Sequence, residues 1–343
     1  MTYICQRRES LVPDTFSVLG GAAHDDNDMP APSVVVRAET ATNQHTPLPS
    51  GERGRGDGPA ANNNPPNTHD SPLTTHDSLP PGDYVSPNLS VVMLDRAFPN
   101  MVVGDSRNCT WPYLRRTIPH NWYVDRRSPL CGFVSRDEAH ILYHTAREFA
   151  GKRVLEVGCW MGWSAAHLGL APIELDVIDP LLGDARLAAS VRGSLSAAGV
   201  SRRVNLIAGG SSGMIDELAL KTGGQWSLIF IDANHEGTAP VEDAMGCARH
   251  AAADAMILFH DLAAPAVADG FQWLRSQGWN TLIYETMQIM GVAWRGNVQP
   301  IAHTPDPRIT EALPKHLDGY AVSGRCTANI NQINQEEVRS GGH

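Results

Sequence analysis

VLEVGCWMGWSAAH, residues 154–167, is the stretch on which the fold turns. The apolar run Arg153–Val157 ends in a turn containing Gly158 and Gly162, and helix-forming residues follow. A strand that turns on glycines into a helix is the opening unit of a parallel α/β sheet, which binds ligands outside the carboxyl ends of its strands. Glycine permits the tight turn and a close approach of backbone to ligand. The spacing G-x-x-x-G is not the G-x-G-x-x-G that seats a pyrophosphate, so a dinucleotide is disfavoured.

Outward from this turn the alternation continues in both directions. Ser135 with Glu138 three residues on is a capping-box signature, opening a helix through about Ala150 whose buried face is Ile141, Leu142, Thr145 and Phe149. Further apolar runs are Leu175–Ile178, Val204–Ile207, Leu228–Ile231, Met256–Phe259, Thr281–Tyr284 and Ile289–Trp294. Between them, Ala185–Ala198 repeats Leu187, Val191 and Leu195 and stops at Gly199. Another helix starts at Pro265 and passes Phe271 and Leu274 to Gly278. Only Glu285–Gln288 separates the last two strands, too little chain for a crossover, so they must be antiparallel. The predicted class is α/β: a Rossmann-like doubly wound sheet, mostly parallel with an antiparallel last strand.

Composition sets the boundaries. Twelve of the 24 prolines lie in residues 1–90, whereas all eight tryptophans lie between Trp111 and Trp294. Residues 1–90 therefore read as a disordered tail, with a short tandem repeat, THDSPLTTHDSLP, at 68–80. Residues 91–134 read as an irregular but ordered cap, 135–324 as the main domain, and 325–343 as a loose tail. The net charge of −10 argues against nucleic acid as a partner, and the pairs Arg115-Arg116 and Arg126-Arg127 read as solvated surface. The six cysteines show no metal-like spacing. No apolar run approaches the ~20 residues that span a bilayer, and the N-terminus makes a poor signal peptide. A cytoplasmic protein is expected.

Asp179 ends the second strand 21 residues after Gly158, where an acid suits ribose hydroxyls or simply the turn before Pro180. The fourth strand runs WSLIFID into ANHE, and the fifth runs AMILFHD. Neighbouring strand tips should bring Asp232, His235, His260 and Asp261 together. Two carboxylates with open positions suit Mg²⁺, and a histidine beside them can take a proton. The alternative is that Asp232 and Asp261 cap the helices that follow. His250, Cys247 and the Met287–Met290 stretch read as helix surface or core. Trp160 and Trp163 suit either the cleft or the core, and His120, Tyr123 and Asp125 are candidates to close over a substrate.

From about Trp111 to Gly324 the chain resembles the class I S-adenosylmethionine-dependent methyltransferases, particularly the branch of macrolide and sugar O-methyltransferases. The E-x-G-x-x-x-G turn at 156–162, Asp179, the D-x-x-H of Asp232 and His235, and the pair His260-Asp261 carry the likeness. It implies S-adenosylmethionine as cofactor, with Glu156 and Gly158 near its methionine end, Gly162 in the turn, Asp179 on the ribose and Ser211 near the adenine. It also implies a divalent metal, Mg²⁺ or Mn²⁺, on Asp232 and the 260–261 pair, with His235 as the base. That pair is usually acidic. His260 departs from the pattern and shifts metal preference toward Mn²⁺, Fe²⁺ or Zn²⁺. The expected reaction is methylation of a hydroxyl on a small-molecule acceptor, a sugar or natural product of secondary metabolism, without nucleic acid or membrane and with self-association open. Two other readings stand beside it: an iron hydroxylase-like enzyme, since relatives of the fold act on antibiotic precursors, and a non-catalytic S-adenosylmethionine-binding module tethered by its proline-rich tail.

Overall fold

The computed structural model describes residues 79–107 and 109–325. All but the last two residues of the tandem repeat and nearly all of the expected N-terminal tail lie outside the described residues, as does 326–343. Residues 79–90 do not belong to a tail. Val85, Ser86 and Leu89 are buried, and Asp83 forms a buried ion pair with Arg136. The folded chain therefore starts by residue 79.

The segment ahead of the main domain is more regular than its sequence predicts. Strands β1 (Met101–Val103), β2 (Tyr123–Asp125) and β3 (Ser128–Phe133) form a three-stranded antiparallel sheet. Two of its strands, β1 and β2, have only three residues each, too few to show an alternating pattern. The three residues expected to close over a substrate hold this segment together instead. His120 Nε2 lies 2.6 Å from Asp306, the Tyr123 hydroxyl donates to Asp83, and Asp125 pairs with Arg127. Arg115 is likewise no surface residue: it is buried, and its Nη1 donates to the carbonyl of Thr286 at 2.8 Å.

Helix α1 (Arg136–Glu148) opens at Ser135 with the full capping box, and Ile141, Leu142, Thr145 and Phe149 are buried as its pattern requires. The main sheet then builds up from β4 (Arg153–Val157), β5 (Glu174–Ile178), β6 (Val204–Ile207), β7 (Trp226–Ile231), β8 (Ala251–Phe259), β9 (Asn280–Tyr284) and β10 (Met290–Arg295). Helices α2 (Trp163–Gly169), α3 (Ala185–Ala197), α4 (Ser211–Thr222), α5 (Ala239–His250) and α6 (Pro265–Ser276) make the connections. The order is β6-β5-β4-β7-β8-β10-β9, with β10 antiparallel to both β8 and β9. This is the doubly wound class with the antiparallel strand slotted between the fifth and sixth.

Because side chains alternate across a strand, each strand feeds both cores. Met256 and Leu258 pack with α1, α2 and α3, whereas Ile257 and Phe259 pack with α4, α5 and α6. The winding reverses at β4, which has β5 on one side and β7 on the other. That switch point is where open α/β sheets bind ligands, and the shared direction of β4, β5, β7 and β8 brings Gly158, Asp179, Asp232 and Asp261 to the same edge. Among the described residues, no helix is long and apolar enough to cross a membrane.

Candidate active site

The turn after β4 needs its glycine for two separate reasons. Gly158 has φ +87°, and a Cβ there would sit 2.1 Å from the carbonyl oxygen of Asp232. The tips of β4 and β7 are thus closer than any side chain allows. Gly162 (φ +85°) makes the turn into α2 and abuts Val191.

On one side of Gly158 lies a cavity of about 280 Å³ lined by Val157, Ile178, Pro180, Gly210, Ser211 and Asp243, among others. A much smaller cleft continues past Gly158 to Trp160, Trp163, Ser164 and Asp232. Asp179 is next to the cavity but faces away from open space. It is fully buried, and its carboxylate accepts hydrogen bonds from the backbone N–H groups of Cys159 (2.8 Å), Trp160 (3.0 Å) and Leu181 (2.8 Å). It therefore clamps the turn, and those amides hold the oxygens expected to serve a ribose. Trp160 is held there at φ +47°, a conformation that costs a non-glycine residue energy. Glu156 is fully buried, lines neither cavity, and is pushed well above the usual carboxylate range by burial, an effect the nearby Ser164 hydroxyl tempers.

Asp243, on α5, was not singled out by the sequence. Its carboxyl lines the cavity beside Ser211, and one oxygen, Oδ2, is buried without a hydrogen-bond partner. Burial pushes it up to about 6, partly offset by the hydrogen bond from Ser211. An orphaned acceptor in a cavity this size suits an exocyclic amino group such as that of adenine. A raised folded-state value means the ionised form is disfavoured in the fold, so stability should fall as pH rises from about 4 to about 6. Asp243→Asn should then be about 2 kcal/mol more stable than the wild type at pH 8, with the gap closing toward pH 4 in thermal unfolding. A gap independent of pH would rule out Asp243 as its source.

The tips of β7 and β8 bring the other four residues together. His235 Nε2 lies 3.4 Å from Asp232 Oδ1 and 3.1 Å from Asp261 Oδ2, and His260 Nδ1 lies at the same distances from the same two oxygens. Asp232, His235 and Asp261 each offer an atom within 4.8 Å of the others, a spacing that can hold a metal ion. His260 Nδ1 and Asp261 Oδ2 are buried and make no hydrogen bond of normal geometry, as expected of atoms meant for a ligand. Asp261 adopts φ +58°, a strained conformation for a non-glycine residue, and Gln288 Nε2 fixes it through Oδ1 at 2.9 Å. Asp261 is not a helix cap, since α6 begins after Ala264. The Trp111 ring stands 5.5 Å from the His235 ring, placing the N-terminal segment against the site.

A donor set of carboxylate oxygen and imidazole nitrogen fits a divalent cation, with the imidazole favouring Mn²⁺, Fe²⁺ or Zn²⁺ over Mg²⁺. Burial disfavours a charged His260, but the carboxylates of Asp261, Asp232 and Glu138 outweigh it and raise this imidazole well above its ordinary range. An ion taking Nδ1 would displace that proton.

A protein-family model described as a methyltransferase domain matches residues 155–262, from β4 through the tip of β8. Its matched stretch contains the glycine turn, Asp179, Asp243 and all four residues of the cluster. No curated protein matches the sequence. Solved structures similar to this chain include an O-methyltransferase of tomaymycin synthesis from Streptomyces achromogenes in complex with SAM, at 17% identity over 48% of this chain and 82% of that one, TM-score 0.41. An O-methyltransferase from Bacillus cereus in complex with SAH shares 12% identity over 48% and 83%, TM-score 0.42. An SAH-bound methyltransferase from Podospora anserina shares 21% over 48% and 80%, TM-score 0.40.

Proposed function

We propose that this chain is a class I, S-adenosylmethionine-dependent methyltransferase that methylates a hydroxyl oxygen on a small molecule with the help of a divalent cation. The observation that carries the reading is the facing pair of carboxylates and imidazoles at the tips of β7 and β8. Asp232, Asp261 and His260 would hold the ion, which supplies Lewis acidity to an acceptor hydroxyl. S-adenosylmethionine, when bound, supplies the electrophilic methyl. Its adenine would meet Ser211 and Asp243 in the 280 Å³ cavity, and its methionine end would reach the cleft beyond Gly158.

His235 has the base's part. It stands on the loop whose Ala233 and Asn234 line the cavity, and its Nε2 lies 3.4 Å from Asp232 and 3.1 Å from Asp261. There it accepts the hydroxyl proton, and Asp232 and Asp261 stabilise the imidazolium that results. The strand tips contribute position: they fix the proton acceptor and the cation ligands on one side of the Gly158 turn, which leaves the approach to the methyl open. Trp111 and the chain around it would shape the acceptor site.

The test is turnover with labelled S-adenosylmethionine on a panel of hydroxylated sugars and phenols, with Mn²⁺, with Mg²⁺ and with chelator. Methyl ethers formed only with a divalent ion support the reading. Oxygen consumption with Fe²⁺ and no methyl transfer would replace it with a hydroxylase, and methylation that survives chelation would remove the cation.

A further inference from the structure

Glu138 is spent on far more than a helix cap. Its Oε2 accepts from the N–H of Ser135 at 2.6 Å and lies 3.1 Å from His260 Nε2. Its Oε1 accepts from the Thr286 hydroxyl at 2.8 Å and from the N–H of Gln288 at 2.9 Å. Both oxygens are engaged in a fully buried setting, so the carboxylate cannot turn away. Ser135 alone would satisfy the capping box. The remaining partners come from β8 and from the hairpin between β9 and β10, and that hairpin also supplies the Gln288 amide that holds Asp261.

We propose that Glu138 is a positioning residue that orients His260 so that Nδ1, and not Nε2, is presented to the cation. The inference rests on the metal-assisted reading above and extends it to a residue 122 positions away from the histidine it serves. An ionised carboxylate only accepts hydrogen bonds, so the ring nitrogen facing it must carry a proton. Nδ1, the atom 3.1 Å from Asp261 and 3.4 Å from Asp232, faces carboxylates as well, and its proton is the one a cation would displace, so Glu138 keeps the remaining hydrogen on Nε2 and leaves the lone pair on Nδ1. Metal-binding histidines are commonly fixed in this way by a carboxylate on the far nitrogen. The geometry gives the departure at position 260 a physical basis: a neutral ligand stands at the strand tip, and the negative charge stands behind it, on α1.

The experiment is a calorimetric titration of Mn²⁺ into the full chain, comparing wild type, Glu138→Gln, His260→Asn and the double variant, with unfolding monitored in parallel. A neutral amide loses the charge-assisted bond to Nε2, and Glu138→Gln should weaken Mn²⁺ binding about 10–100-fold in a protein that still folds. Asparagine at 260 has no tautomer to set, so adding Glu138→Gln to His260→Asn should cost less than about threefold, a coupling that a purely structural role would not produce. Equal losses in both backgrounds, or no loss in either, would overturn the proposal. If the wild type binds no divalent ion, the metal-assisted reading falls, and Glu138 is judged by imidazole NMR of the metal-free protein. A protected His260 Nε2 proton that disappears in Glu138→Gln keeps Glu138 as the residue orienting the ring. The same signal in both proteins, or in neither, removes it.

Discussion

Alanine at position 235 is expected to slow methyl transfer by roughly 10²–10⁴-fold, the usual worth of a positioned base, while leaving cofactor affinity within about threefold. The expectation comes from where Nε2 stands. It is buried, 3.1 Å from Asp261 and 3.4 Å from Asp232, on a loop that borders the cofactor cavity through its neighbours. The same spacing would also let His235 ligate the ion. Two readouts separate the roles. Loss of a base leaves Mn²⁺ affinity nearly intact while turnover falls, whereas loss of a ligand takes ion binding together with rate. Unchanged turnover in His235→Ala would take the residue out of the mechanism altogether.

The second large effect is structural. Gly158→Ala should destabilise the domain by roughly 3–5 kcal/mol, among the largest costs of a single substitution. Two penalties add. A φ of +87° is unfavourable to any residue with a Cβ, and that Cβ would sit 2.1 Å from the Asp232 carbonyl oxygen, which the fold cannot move without parting β4 from β7. Gly199→Ala is the control. It carries the same kind of backbone strain, φ +75°, with nothing within 4 Å of the added atom, so it should lose only about 1–2 kcal/mol. Urea unfolding of both variants measures the difference. Equal midpoints would mean that the tips of β4 and β7 are not in the contact described. Because Asp232 moves with that carbonyl, Gly158→Ala should also abolish ion binding in whatever fraction remains folded.

The main sheet was legible because its signals are local. Apolar runs of strand length, a helix repeat such as Val191 and Leu195, and a four-residue gap between the last strands each report on a few neighbouring positions. The D-x-x-H and the His260-Asp261 pair were legible because strand order alone brings their tips together. What the sequence hid depends on partners far along the chain. Glu138 reads as a cap, since Ser135 is three residues away and His260 is 122. Asp243 is one of two adjacent acids on α5, and only the fold shows that it, lining the same cavity as Glu242, is the one with an orphaned oxygen. Asp179 reads as a ribose ligand or as the turn residue before Pro180, and the three backbone amides it accepts from carry no mark in a sequence. Arg115 likewise reads as solvated surface because its acceptors are main-chain carbonyls of the β9–β10 hairpin. In the first sheet, β1 and β2 lack the length for any pattern to show.

The most direct test of the account is calorimetric titration of Mn²⁺ into the S-adenosylhomocysteine-saturated protein, for the wild type and for Asp232→Asn. The account predicts one ion per chain in the wild type and none in the variant, with the cofactor bound equally by both. Absence of ion binding in the wild type, or binding that Asp232→Asn leaves unchanged, would contradict it: the four residues at the tips of β7 and β8 would then be arranged for something other than a cation.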